Sequence, residues 1–420
     1  MIFIKIYNFL VTILYPLIIN GYMQKRKLCG KEDISRFNER LGKPKIARPE
    51  GKLFWLHGAS VGESVSMLPL IHKLLETYED AHIMVTTGTI TSAEIMKKRL
   101  PERAFHQFIP LDNPIFTNRF LRYWHPDAVL WFESEFWPAI LYSIYKRKIP
   151  FLLVNGRISN KTFKRWQQFD FICKELLECF DLCLGQSDED AYRLRVLGAK
   201  EAICLGNLKY AGLPLPIDKQ SKEDLIKQIN KRPLWLISST HDDEEYRIAK
   251  AHKKLKERHK NLLMIIAPRH PNRGKEIAEQ LERLDLKVAL RSQQEPITKQ
   301  TDVYIADTIG EMGLWYDLSK ITFIGGSLIP HGGQNFIEPS KMRNAVIVGP
   351  HMHNFNDAMI RARKADAIIQ IETIDELEQI VENLLTNTSL LEAKCSLAYN
   401  WAQNETKVLD GIIEKIRTFL

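Results

Sequence analysis

A single carboxylate stands among small residues in the stretch from His57 to Val65, which reads His-Gly-Ala-Ser-Val-Gly-Glu-Ser-Val. Gly58 and Gly62 let the backbone approach a ligand closely, and a helix that begins here offers unpaired N–H groups to an anionic or hydroxyl-rich molecule. Glu63 is then expected at the mouth of a cleft. The alternative is a structural carboxylate that complements the helix dipole, which contributes roughly a few tenths of a kcal/mol.

Four glycines mark a second candidate site, the stretch from Gly325 to Pro339. It has the pattern of a strand end, a glycine loop and a helix start, and such loops bind phosphate at the helix N-terminus. Glu338, about one turn into the helix, can accept hydrogen bonds from two vicinal hydroxyls such as those of a ribose, and Asn335 lies nearby. The pattern is neither GxGxxG nor a P-loop. It predicts a nucleotide site of another kind, with simple turns as the alternative.

Charged residues follow several other apolar runs. Arg269 comes after the run Leu262–Ala267 and would place a fixed positive charge suited to a phosphate, although a surface ion pair is the alternative. Lys209 closes the N-terminal half and can reach a cleft, or is simply solvated. Glu133 and Glu135 follow another run, two residues apart, and would point to opposite faces if the strand continued. One of them is therefore expected to face the site.

The elements that position these residues alternate between short apolar runs and helical stretches, which is typical of a doubly wound parallel sheet. Ligands of open α/β sheets bind outside the carboxyl ends of the strands, and polar residues follow these runs. A segment rich in Pro and Gly, residues 210–218, separates two such halves and predicts a cleft between them. The runs are Leu53–Leu56, Ile83–Thr86, Ala128–Phe132, Phe151–Val154, Leu182–Leu184 and Ala202–Leu205, followed by Leu234–Ser238, Leu262–Ala267, Val288–Leu290, Val303–Ala306, Ile321–Ile324, Val346–Val348 and Ile368–Ile369.

Length and composition favour two folded domains. The chain has 420 residues, 26% of them charged, and a formal net charge of +8, which argues against disorder. The basic residues gather after the N-terminus and between residues 146 and 165, which favours a membrane surface or acidic substrates over nucleic acid. Six cysteines show no CxxC pair and no zinc spacing, so reduced, mostly buried thiols are predicted.

Residues 1–22 form an almost continuous apolar run, interrupted by Lys5, Asn8 and Asn20. A signal peptide is one alternative, but a small-residue cleavage site is missing and the Lys/Arg cluster lies on the C-terminal side. The positive-inside rule then keeps the body of the chain in the cytoplasm. About twenty residues suffice to span a bilayer, while the polar interruptions also fit an interfacial helix. An N-terminal membrane anchor is predicted.

The motifs occur in a fixed order along almost the whole chain: His57–Glu63, Glu133–Pro138, Asn155–Arg157, Gly206–Lys209, Pro268–Pro271, Gly310–Glu311, Gly325–Ser327, Gly332–Asn335 and Glu338. In this order and combination they resemble the 3-deoxy-D-manno-octulosonic acid (Kdo) transferases, which also carry a hydrophobic N-terminus. The resemblance implies a GT-B glycosyltransferase with two Rossmann-like α/β domains facing a central cleft. The implied divisions are residues 1–22 for a membrane-anchor helix, 23–213 for the acceptor domain, 214–400 for the nucleotide-sugar domain and 401–420 for a helix returning to the N-terminal domain.

The resemblance also implies an activity, which is inverting transfer of Kdo from CMP-Kdo to the lipid A disaccharide precursor (lipid IVA) in lipopolysaccharide inner-core biosynthesis. Glu63 resembles the general base of the family, and Glu133 and Lys209 resemble its transition-state stabilisers. The implied location is the cytoplasmic side of a bacterial inner membrane, whose surface is an expected partner. The residues that resemble CMP-binding positions are Pro268, Arg269, Ile309, Gly310, Glu311, Asn335, Phe336, Ile337 and Glu338.

The chemistry of sugar transfer agrees with these roles. Breaking the bond to the sugar carbon develops positive charge there and negative charge on the departing phosphate, so a carboxylate near the first and a cation near the second lower the barrier. Glu133 suits the first role and Arg269 the second, while Lys209 can pair with the carboxylate of the sugar. No Asp-x-Asp motif stands at a strand end, so neither a cofactor nor a metal is expected. Asp302 and Asp307 are interpreted as structural.

Other assignments stay open on the residues alone. A nucleotide-sugar epimerase of the same fold would share the glycine loop but not the anchor, and a lipid glycosyltransferase that uses a UDP-sugar would share the anchor. An RNA-binding protein would need aromatics interleaved with basic residues, which are missing. Asp243 departs from the family, where glycine often stands. Lys31, Arg36 and Arg40 are hypothesised to contact phosphates of the lipid acceptor. The number of Kdo residues transferred, the acyl-chain preference and the oligomeric state are not predicted.

Overall fold

Two compact units make up the chain in a computed structural model that describes residues 1–17, 21, 23–133, 135–212 and 215–420. The first unit contains Met1–Leu213 together with Glu405–Leu420, and the second contains Pro214–Asn404. Leu213 and Pro214, where the predicted domain boundary falls, lie outside the described residues, as does Ser134 of the predicted site. Each unit is built on its own parallel sheet.

The first unit is organised around a sheet of seven strands within the described residues: β1 (Leu53–His57), β2 (His82–Thr87), β3 (Ala104–Phe108), β4 (Ala128–Phe132), β5 (Phe151–Gly156), β6 (Leu182–Gly185) and β7 (Ala202–Cys204). All neighbouring strands are parallel, in the order β3-β2-β1-β4-β5-β6-β7. β1 is buried throughout. Its side chains alternate between two faces, so Trp55 and Phe54 belong to two different hydrophobic cores.

Helices fill both cores of the first unit. Met67 packs in the core of Phe54, whereas Phe120 packs in the core of Trp55. Side-chain oxygens of Ser60, Thr89, Asn113, Ser159 and Ser187 accept the N–H groups at the starts of five of these helices. The helices are α1 (Ile2–Ile13), α2 (Tyr15–Leu17), α3 (Gln24–Leu28), α4 (Phe37–Arg40), α5 (Val61–Thr77), α6 (Ile90–Arg99), α7 (Pro114–Trp124), α8 (Pro138–Lys146), α9 (Asn160–Gln167), α10 (Asp170–Leu177) and α11 (Asp188–Val196).

The second unit repeats this architecture with strands β8 (Leu234–Thr240), β9 (Leu263–Pro268), β10 (Val288–Leu290), β11 (Val303–Ile305), β12 (Ile321–Ile324), β13 (Ala345–Val348) and β14 (Ile369–Gln370). The strands are parallel, in the order β10-β11-β9-β8-β12-β13-β14. The predicted parallel α/β architecture is thus confirmed in both units. The helices are α12 (Lys219–Ile229), α13 (Glu244–Arg258), α14 (Gly274–Glu282), α15 (Met312–Leu318), α16 (Ile337–Lys341), α17 (Asn356–Lys364), α18 (Ile374–Thr386) and α19 (Thr388–Thr406).

The C-terminal helix α20 (Val408–Arg417) belongs to the first unit. Ile412 and Ile416 are buried in the core that contains Phe54. Lys73 of α5 pairs with Asp410 at 2.9 Å. Residues 401–404, at the start of the predicted returning helix, lie within α19 and the second unit.

Within residues 1–17 the chain forms two helices, whereas one anchor helix was predicted over residues 1–22. α1 ends at Ile13 and α2 begins at Tyr15, because Pro16 has no N–H to continue the first helix. Residues 18–20 and 22 of the predicted anchor lie outside the described residues. Glu175 accepts the N–H groups of Phe3 and Ile4 at 3.1 and 3.0 Å, which fixes the start of α1 on the first unit. Among the helices that the structure describes, none is long and apolar enough to cross a membrane.

Candidate active site

In the sheet of the first unit the strand order reverses between the neighbouring strands β1 and β4, so their carboxyl ends flank the switch point. From β1 the chain proceeds to β2 and β3 on one side, and then returns to β4 on the other side. Ligands of open α/β sheets bind at such a switch point. Glu63 lies in the first turn of the helix after β1, and Glu133 directly follows β4. The fold therefore brings both predicted carboxylates to this end of the sheet.

Glu63 is held by a capping box at the start of α5. Its carboxylate accepts the N–H of Ala59 at 2.7 Å and the hydroxyl of Ser60 at 2.8 Å, while its own N–H donates to that hydroxyl oxygen at 3.2 Å. Gly58 lies close beneath it, because a Cβ there would lie 2.6 Å from the terminal methyl of Met67 and 3.1 Å from Cβ of Glu63. A carboxylate has about four lone-pair positions. The structural role of Glu63 thus leaves acceptor capacity for a substrate hydroxyl.

Glu133 and Lys209 form an ion pair, with Oε1 and Nζ 2.7 Å apart. Glu133 has a φ of +57°, and a non-glycine residue held in this region costs of order 1–3 kcal/mol. Its N–H donates to the carbonyl of Val154 at 3.0 Å, which ties the strained residue to the end of β5. The two residues that resemble transition-state stabilisers are therefore in direct contact, and one of them is strained.

Glu135 is a third carboxylate near this switch point. β4 ends at Phe132, so the alternation of an extended strand does not govern positions 133 and 135. Burial, and then the charge of Glu63, raise the pKa of Glu135. The indole N–H of Trp137 donates to its Oε2 at 3.2 Å. Glu133 therefore pairs with Lys209, whereas Glu135 accepts a hydrogen bond from Trp137.

A cavity of about 480 Å³ within the first unit adjoins these carboxylates. Ala59, whose N–H binds Glu63, lines it together with Glu135 and Trp137. The remaining lining residues come from the N-terminal segment and from the loops after β2, β3 and β4. They are Tyr7, Met23, Arg26, Glu32, Arg40, Gly88, Thr89, Pro110, Leu111, Asp112, Phe136 and Pro138. The cavity therefore lies next to the turn between β1 and α5 that carries Glu63.

Two of the three basic residues hypothesised to contact acceptor phosphates are engaged in ion pairs. Arg40 lines the cavity, but its guanidinium donates to Glu32 at 3.1 Å and to the carbonyl of Gly88 at 2.6 Å. Arg36 forms two hydrogen bonds of 2.8 Å with Glu39. Their charges are therefore partly neutralised within the protein, whereas Lys31 is exposed.

Asp112 links the cavity wall to two helices. Its carboxylate accepts the N–H groups of Ala139 and Ile140 at 3.2 and 2.9 Å, at the start of α8. It also accepts the hydroxyl of Tyr7 in α1. Burial raises the pKa of Asp112 to about 6. Because Tyr7 and Asp112 both line the cavity, α1 is part of its wall.

Two amide groups near Lys209 have NH₂ atoms without a hydrogen-bond partner among the described residues. The N–H of Leu208 donates to Oδ1 of Asn155 at 3.0 Å, and the N–H of Lys209 donates to Oδ1 of Asn207 at 3.0 Å. These bonds fix the orientation of the side chains of Asn155 and Asn207. Asn207 in turn donates to Oε1 of Gln186 at 3.4 Å. The NH₂ groups of Asn155 and Gln186 are buried and lack an acceptor among the described residues, which costs free energy in the folded protein.

The carboxyl ends of β8 and β12 are the corresponding place in the second unit. The chain continues from β8 to β9 on one side and reaches β12 on the other side. The loop after β12 crosses the end of β8 closely, because a Cβ at Gly325 would lie 2.5 Å from the carbonyl oxygen of Ser239. Ser239 itself has a φ of +56°. Only glycine fits at position 325 without moving the end of β8.

The N–H groups of this glycine turn bind a buried side chain of the protein. Gly326, Ser327 and Leu328 donate to the carboxylate of Glu244 at 2.7, 3.1 and 3.0 Å. The prediction that this loop holds a phosphate is wrong for these three groups, because a carboxylate already satisfies them. Asp243, directly before Glu244, has a φ of +74°, a conformation that favours glycine. Sequence reasoning misses Glu244 because it is one of four consecutive acidic residues.

Three histidines surround Arg269 at this edge of the second sheet. His241 follows β8, His270 follows β9, and His331 belongs to the loop after β12. The rings of His241 and His331 stack with centroids 4.3 Å apart, and those of His241 and His270 are 6.0 Å apart. Arg269 is exposed, and no described residue forms a hydrogen bond or ion pair with its guanidinium. Pro268 is the buried last residue of β9. These cations and imidazoles can hold an anion.

The residues that resemble ribose-binding positions lie at the start of α16. Phe336 and Ile337 are buried, whereas Asn335 and Glu338 hydrogen-bond one another at the helix start. Burial raises the pKa of Glu338 and lowers that of Lys341 to about 8. A carboxyl and an amide side by side provide the acceptors and donors that two hydroxyls require.

Residues 309–311 form the loop between β11 and α15. Ile309 is 89% exposed, and Gly310 has a φ of +93°. The side chain of Glu311 accepts two hydrogen bonds from Arg291, at 2.7 and 3.2 Å. Arg291 and Glu311 also line a cavity of about 530 Å³. The carboxylate of Glu311 therefore fixes the loop, and the exposed backbone and Ile309 remain for a ligand.

Asp302 and Asp307 have protein partners. Asp302 pairs with Lys256 and accepts the N–H of Lys287 at 2.9 Å. Asp307 accepts the N–H and the hydroxyl of Ser292 at 2.8 and 2.6 Å. In the part of the chain that the structure describes, no group of three or more His, Cys, Asp or Glu residues is arranged to hold a metal ion.

Two α/β units, each built on a parallel seven-stranded sheet of the described residues, define the fold class of this chain. Solved structures have this fold. UDP-GlcNAc 2-epimerase from Neisseria meningitidis bound to UDP-GlcNAc is 13% identical, and the alignment covers 87% of this chain and 100% of that chain with a TM-score of 0.57. A putative UDP-N-acetylglucosamine 2-epimerase from Listeria monocytogenes is also 13% identical, with 88% and 96% covered and a TM-score of 0.58. At this identity the likeness shows the fold alone.

Sequence comparisons identify the family. The family model described as 3-Deoxy-D-manno-octulosonic-acid transferase (kdotransferase) matches residues 35–212. The 3-deoxy-D-manno-octulosonic acid transferase of Rickettsia felis is 36% identical over 88% of this chain and 79% of that protein. The transferase of Rickettsia bellii is 34% identical over 99% of both chains, and that of Haemophilus influenzae is 30% identical over 89% and 88%. The chain belongs to the 3-deoxy-D-manno-octulosonic acid transferase family, as its motifs predict, and is a glycosyltransferase.

Proposed function

We propose that this chain transfers Kdo from CMP-Kdo to a lipid A disaccharide precursor, lipid IVA, with inversion at the anomeric carbon. This reaction belongs to lipopolysaccharide inner-core biosynthesis. Family membership supports Kdo as the transferred sugar. The single observation that carries the proposal is Glu63, which two hydrogen bonds hold at the switch point of the first unit beside a cavity of about 480 Å³.

Glu63 is the general base of this proposal. It takes the proton of the acceptor hydroxyl while the hydroxyl oxygen forms a bond to the anomeric carbon. The lone pairs that Ala59 and Ser60 do not use are available for this proton. The cavity lined by Glu135 and Trp137 offers a place for the acceptor sugar next to the base.

Glu133 and Lys209 stabilise the transition state. Positive charge develops at the anomeric carbon as the bond to CMP breaks, and the carboxylate of Glu133 favours that charge. Lys209 lies within 2.7 Å of Glu133 and can pair with the carboxylate of Kdo when the sugar binds.

The nucleotide of the donor binds to the second unit. Arg269 neutralises the phosphate as CMP departs with the electron pair of the broken bond, and Asn335 and Glu338 bind the ribose hydroxyls. Pro268, Phe336 and Ile337 support these groups from buried positions. The loop of Ile309, Gly310 and Glu311 is exposed at Ile309 and supports the nucleotide at the end of β11.

The chain acts at the cytoplasmic face of the inner membrane in this proposal, with α1 on the lipid surface. Ile2, Ile6, Phe9 and Ile13 of α1 are 73%, 55%, 65% and 58% exposed. Their spacing of three and four residues puts them on one face, as an interfacial helix requires. Co-sedimentation with anionic lipid vesicles tests this point. Unchanged vesicle binding by the double variant Phe9→Ser, Ile13→Ser would contradict this location of α1. The control is Leu28→Ser, because Leu28 is an exposed apolar residue outside α1.

Purified protein incubated with CMP-Kdo and a tetra-acylated lipid A precursor tests the reaction, with the Kdo on the lipid counted by mass spectrometry. Glu63→Gln should lower turnover by roughly 10²- to 10⁴-fold while CMP binding persists. Ser60→Ala is the matched control, because it removes a hydrogen bond to the same carboxylate and the helix cap. It should cost about 1 kcal/mol of stability but keep most of the activity.

Two outcomes would contradict the proposal. Wild-type turnover in Glu63→Gln would remove Glu63 as the base. CMP binding by the wild type without Kdo on the lipid would assign another acceptor or another donor sugar, which a panel of UDP-sugars then distinguishes. The reaction is also proposed to need no metal, so turnover should be unchanged by EDTA, and strict dependence on an added divalent ion would contradict that part.

A further inference from the structure

An imidazole cluster at the carboxyl edge of the second sheet has no assigned role in the reaction. His241 stacks on His331 with 4.3 Å between ring centroids, and His270 lies edge-on to His241 at 6.0 Å. His331 and His270 are exposed, and His241 is half-buried. Three elements deliver these rings to one place, since they follow β8, β9 and β12.

The charges around His241 are mostly positive. Burial lowers the pKa of His241 most, and the nearby His331, His270, Arg269 and Arg273 lower it further. Arg273 is neutralised by Glu245 at 2.8 Å and Asp242 at 3.0 Å. Arg269, in contrast, has no acidic partner among the described residues. An anion bound here would therefore meet one free cation and three imidazoles.

The acidic group on the nearest loop does not compensate these cations. Glu244 accepts the N–H of His241 at 3.0 Å, and its oxygens are shared with the N–H groups of Gly326, Ser327 and Leu328. Because this carboxylate occupies the N–H groups of Gly326, Ser327 and Leu328, these three donors are not free for an anionic ligand. The imidazoles and Arg269 are side-chain donors at the same edge of the sheet.

Gln334 allows His241 to exist in both protonation states. Its amide nitrogen lies 3.0 Å from Nε2 of His241, so it donates to the neutral ring. When Nε2 carries a proton, the same amide turned over by 180° presents its oxygen as an acceptor. The stacked rings repel each other when both are charged, unless an anion lies beside them.

We propose that His241, His270 and His331, together with Arg269, form a proton-linked phosphate subsite for the nucleotide of the donor. The inference rests on the proposed function. Binding of a phosphodiester anion is accompanied by uptake of a proton from solvent onto the imidazole cluster. The proton stays on the cluster while the donor is bound and adds positive charge beside the phosphate from which the sugar departs.

Isothermal titration calorimetry of the full chain with cytidine 5′-methyl phosphate tests this linkage. This probe carries a phosphodiester, as the donor does, and its phosphate does not titrate near neutral pH. The binding enthalpy is measured at pH 7.5 in several buffers that differ in ionisation enthalpy. The slope of the observed binding enthalpy against the buffer ionisation enthalpy gives the number of protons taken up per ligand. We expect about 0.5 to 1 proton per ligand, and an affinity that weakens by up to about tenfold per pH unit as the pH rises.

Variants locate the proton. His331→Gln and His241→Gln should each reduce the uptake to near zero and flatten the pH dependence. His353→Gln is the matched control, because this exposed histidine also adjoins the glycine loop, at Gly332. His331 lies in an exposed turn, so its variant decides the question even if His241→Gln fails to fold.

The possible results separate the inference from the proposed function. Binding by the wild type without proton uptake, or uptake that survives in both variants, overturns the subsite and leaves the transferase proposal intact. Failure of the wild type to bind the probe at millimolar concentration overturns the subsite and the assignment of the CMP site together.

Discussion

The carboxylate of Glu244 binds the N–H groups of the glycine turn in the second unit, as an anionic ligand would. Its carboxylate accepts four backbone N–H groups, from His241, Gly326, Ser327 and Leu328, at distances from 2.7 to 3.1 Å. The side chain is fully buried. Burial raises its pKa although these bonds act in the opposite direction. A single side chain thus holds the glycine turn and the end of β8 in one arrangement.

Glu244→Ala should lower the free energy of unfolding of the second unit by about 3 kcal/mol or more, because three buried N–H donors of the turn lose their acceptor. Urea denaturation followed by tryptophan fluorescence measures the loss. Sulfate should restore more stability to this variant than to the wild type, since an anion can occupy the emptied turn. Glu257→Ala, an exposed glutamate in the same helix, is the control. Equal effects of sulfate on both proteins would contradict this account.

Single residues can be singled out from the sequence where they follow an apolar run within a few positions. Glu63, Glu133 and Lys209 stand in this way after β1, β4 and β7, and their roles stay predictions. The contact of Glu133 with Lys209 was not predicted. The role of Glu244 was not predicted either, because its partner Gly326 is 82 positions away. Such pairings depend on the order of strands across the sheet, which the pattern of runs does not contain.

The elements show the same division between local and long-range information. Ala128–Phe132 and Ile321–Ile324 were predicted with the bounds that the structure has, because continuous apolar runs mark buried strands. β3 was missed, since it lies at the edge of its sheet and His106 and Gln107 interrupt its apolar pattern. α1 also differs from prediction, because its apolar residues serve the core of the first unit as well as the exposed face.

Glu175→Ala should loosen α1 from the first unit. The carboxylate holds the N–H groups of Phe3 and Ile4, and without it these helix-start donors lose their partner. Hydrogen exchange of residues 2–13, followed by mass spectrometry, should become faster by about tenfold or more. Glu178→Ala, at the end of the same helix α10, is the control. Its carboxylate lies 4.0 Å from Nζ of Lys174, which is a long ion pair on the surface. Unchanged exchange in Glu175→Ala would show that apolar packing alone holds α1.

The pH dependence of this attachment has a defined sign. Burial acts to raise the pKa of Glu175, but the N–H bonds from α1 outweigh it and lower the pKa below its ordinary value of 4.5. A carboxyl with a lowered pKa contributes stability above its ordinary pKa and loses it as the pH falls through the lowered value. The attachment of α1 should therefore be complete at neutral pH.

At the scale of the whole molecule, two buried histidines and one half-buried histidine make stability depend on pH. Burial lowers the pKa values of His57, His106 and His252 to about 3, from an ordinary value of 6.5. In His252 the neutral form is fixed by the indole N–H of Trp235, which donates to Nδ1 at 3.2 Å. The unfolded chain therefore binds more protons than the folded chain between about pH 3 and 6.5, and stability is lost as the pH falls through this range.

The free energy of unfolding should fall by about 1.4 kcal/mol per pH unit for each of these histidines once the pH is well below 6.5. Urea denaturation between pH 7.5 and 5 measures the slope. His252→Gln keeps an acceptor for Trp235 but does not titrate, so its slope should be smaller than that of the wild type. A slope that does not change in this variant would mean that His252 is protonated in the folded state.

The position of Glu405–Leu420 in the first unit has a consequence for the order of synthesis. Val408, Ile412, Ile413 and Ile416 complete a core whose other members all precede residue 212. A ribosome therefore makes the entire second unit before it supplies the last helix of the first. During that interval the first unit exposes the apolar surface that α20 later covers, so a nascent chain stalled in the second unit would be a client for chaperones.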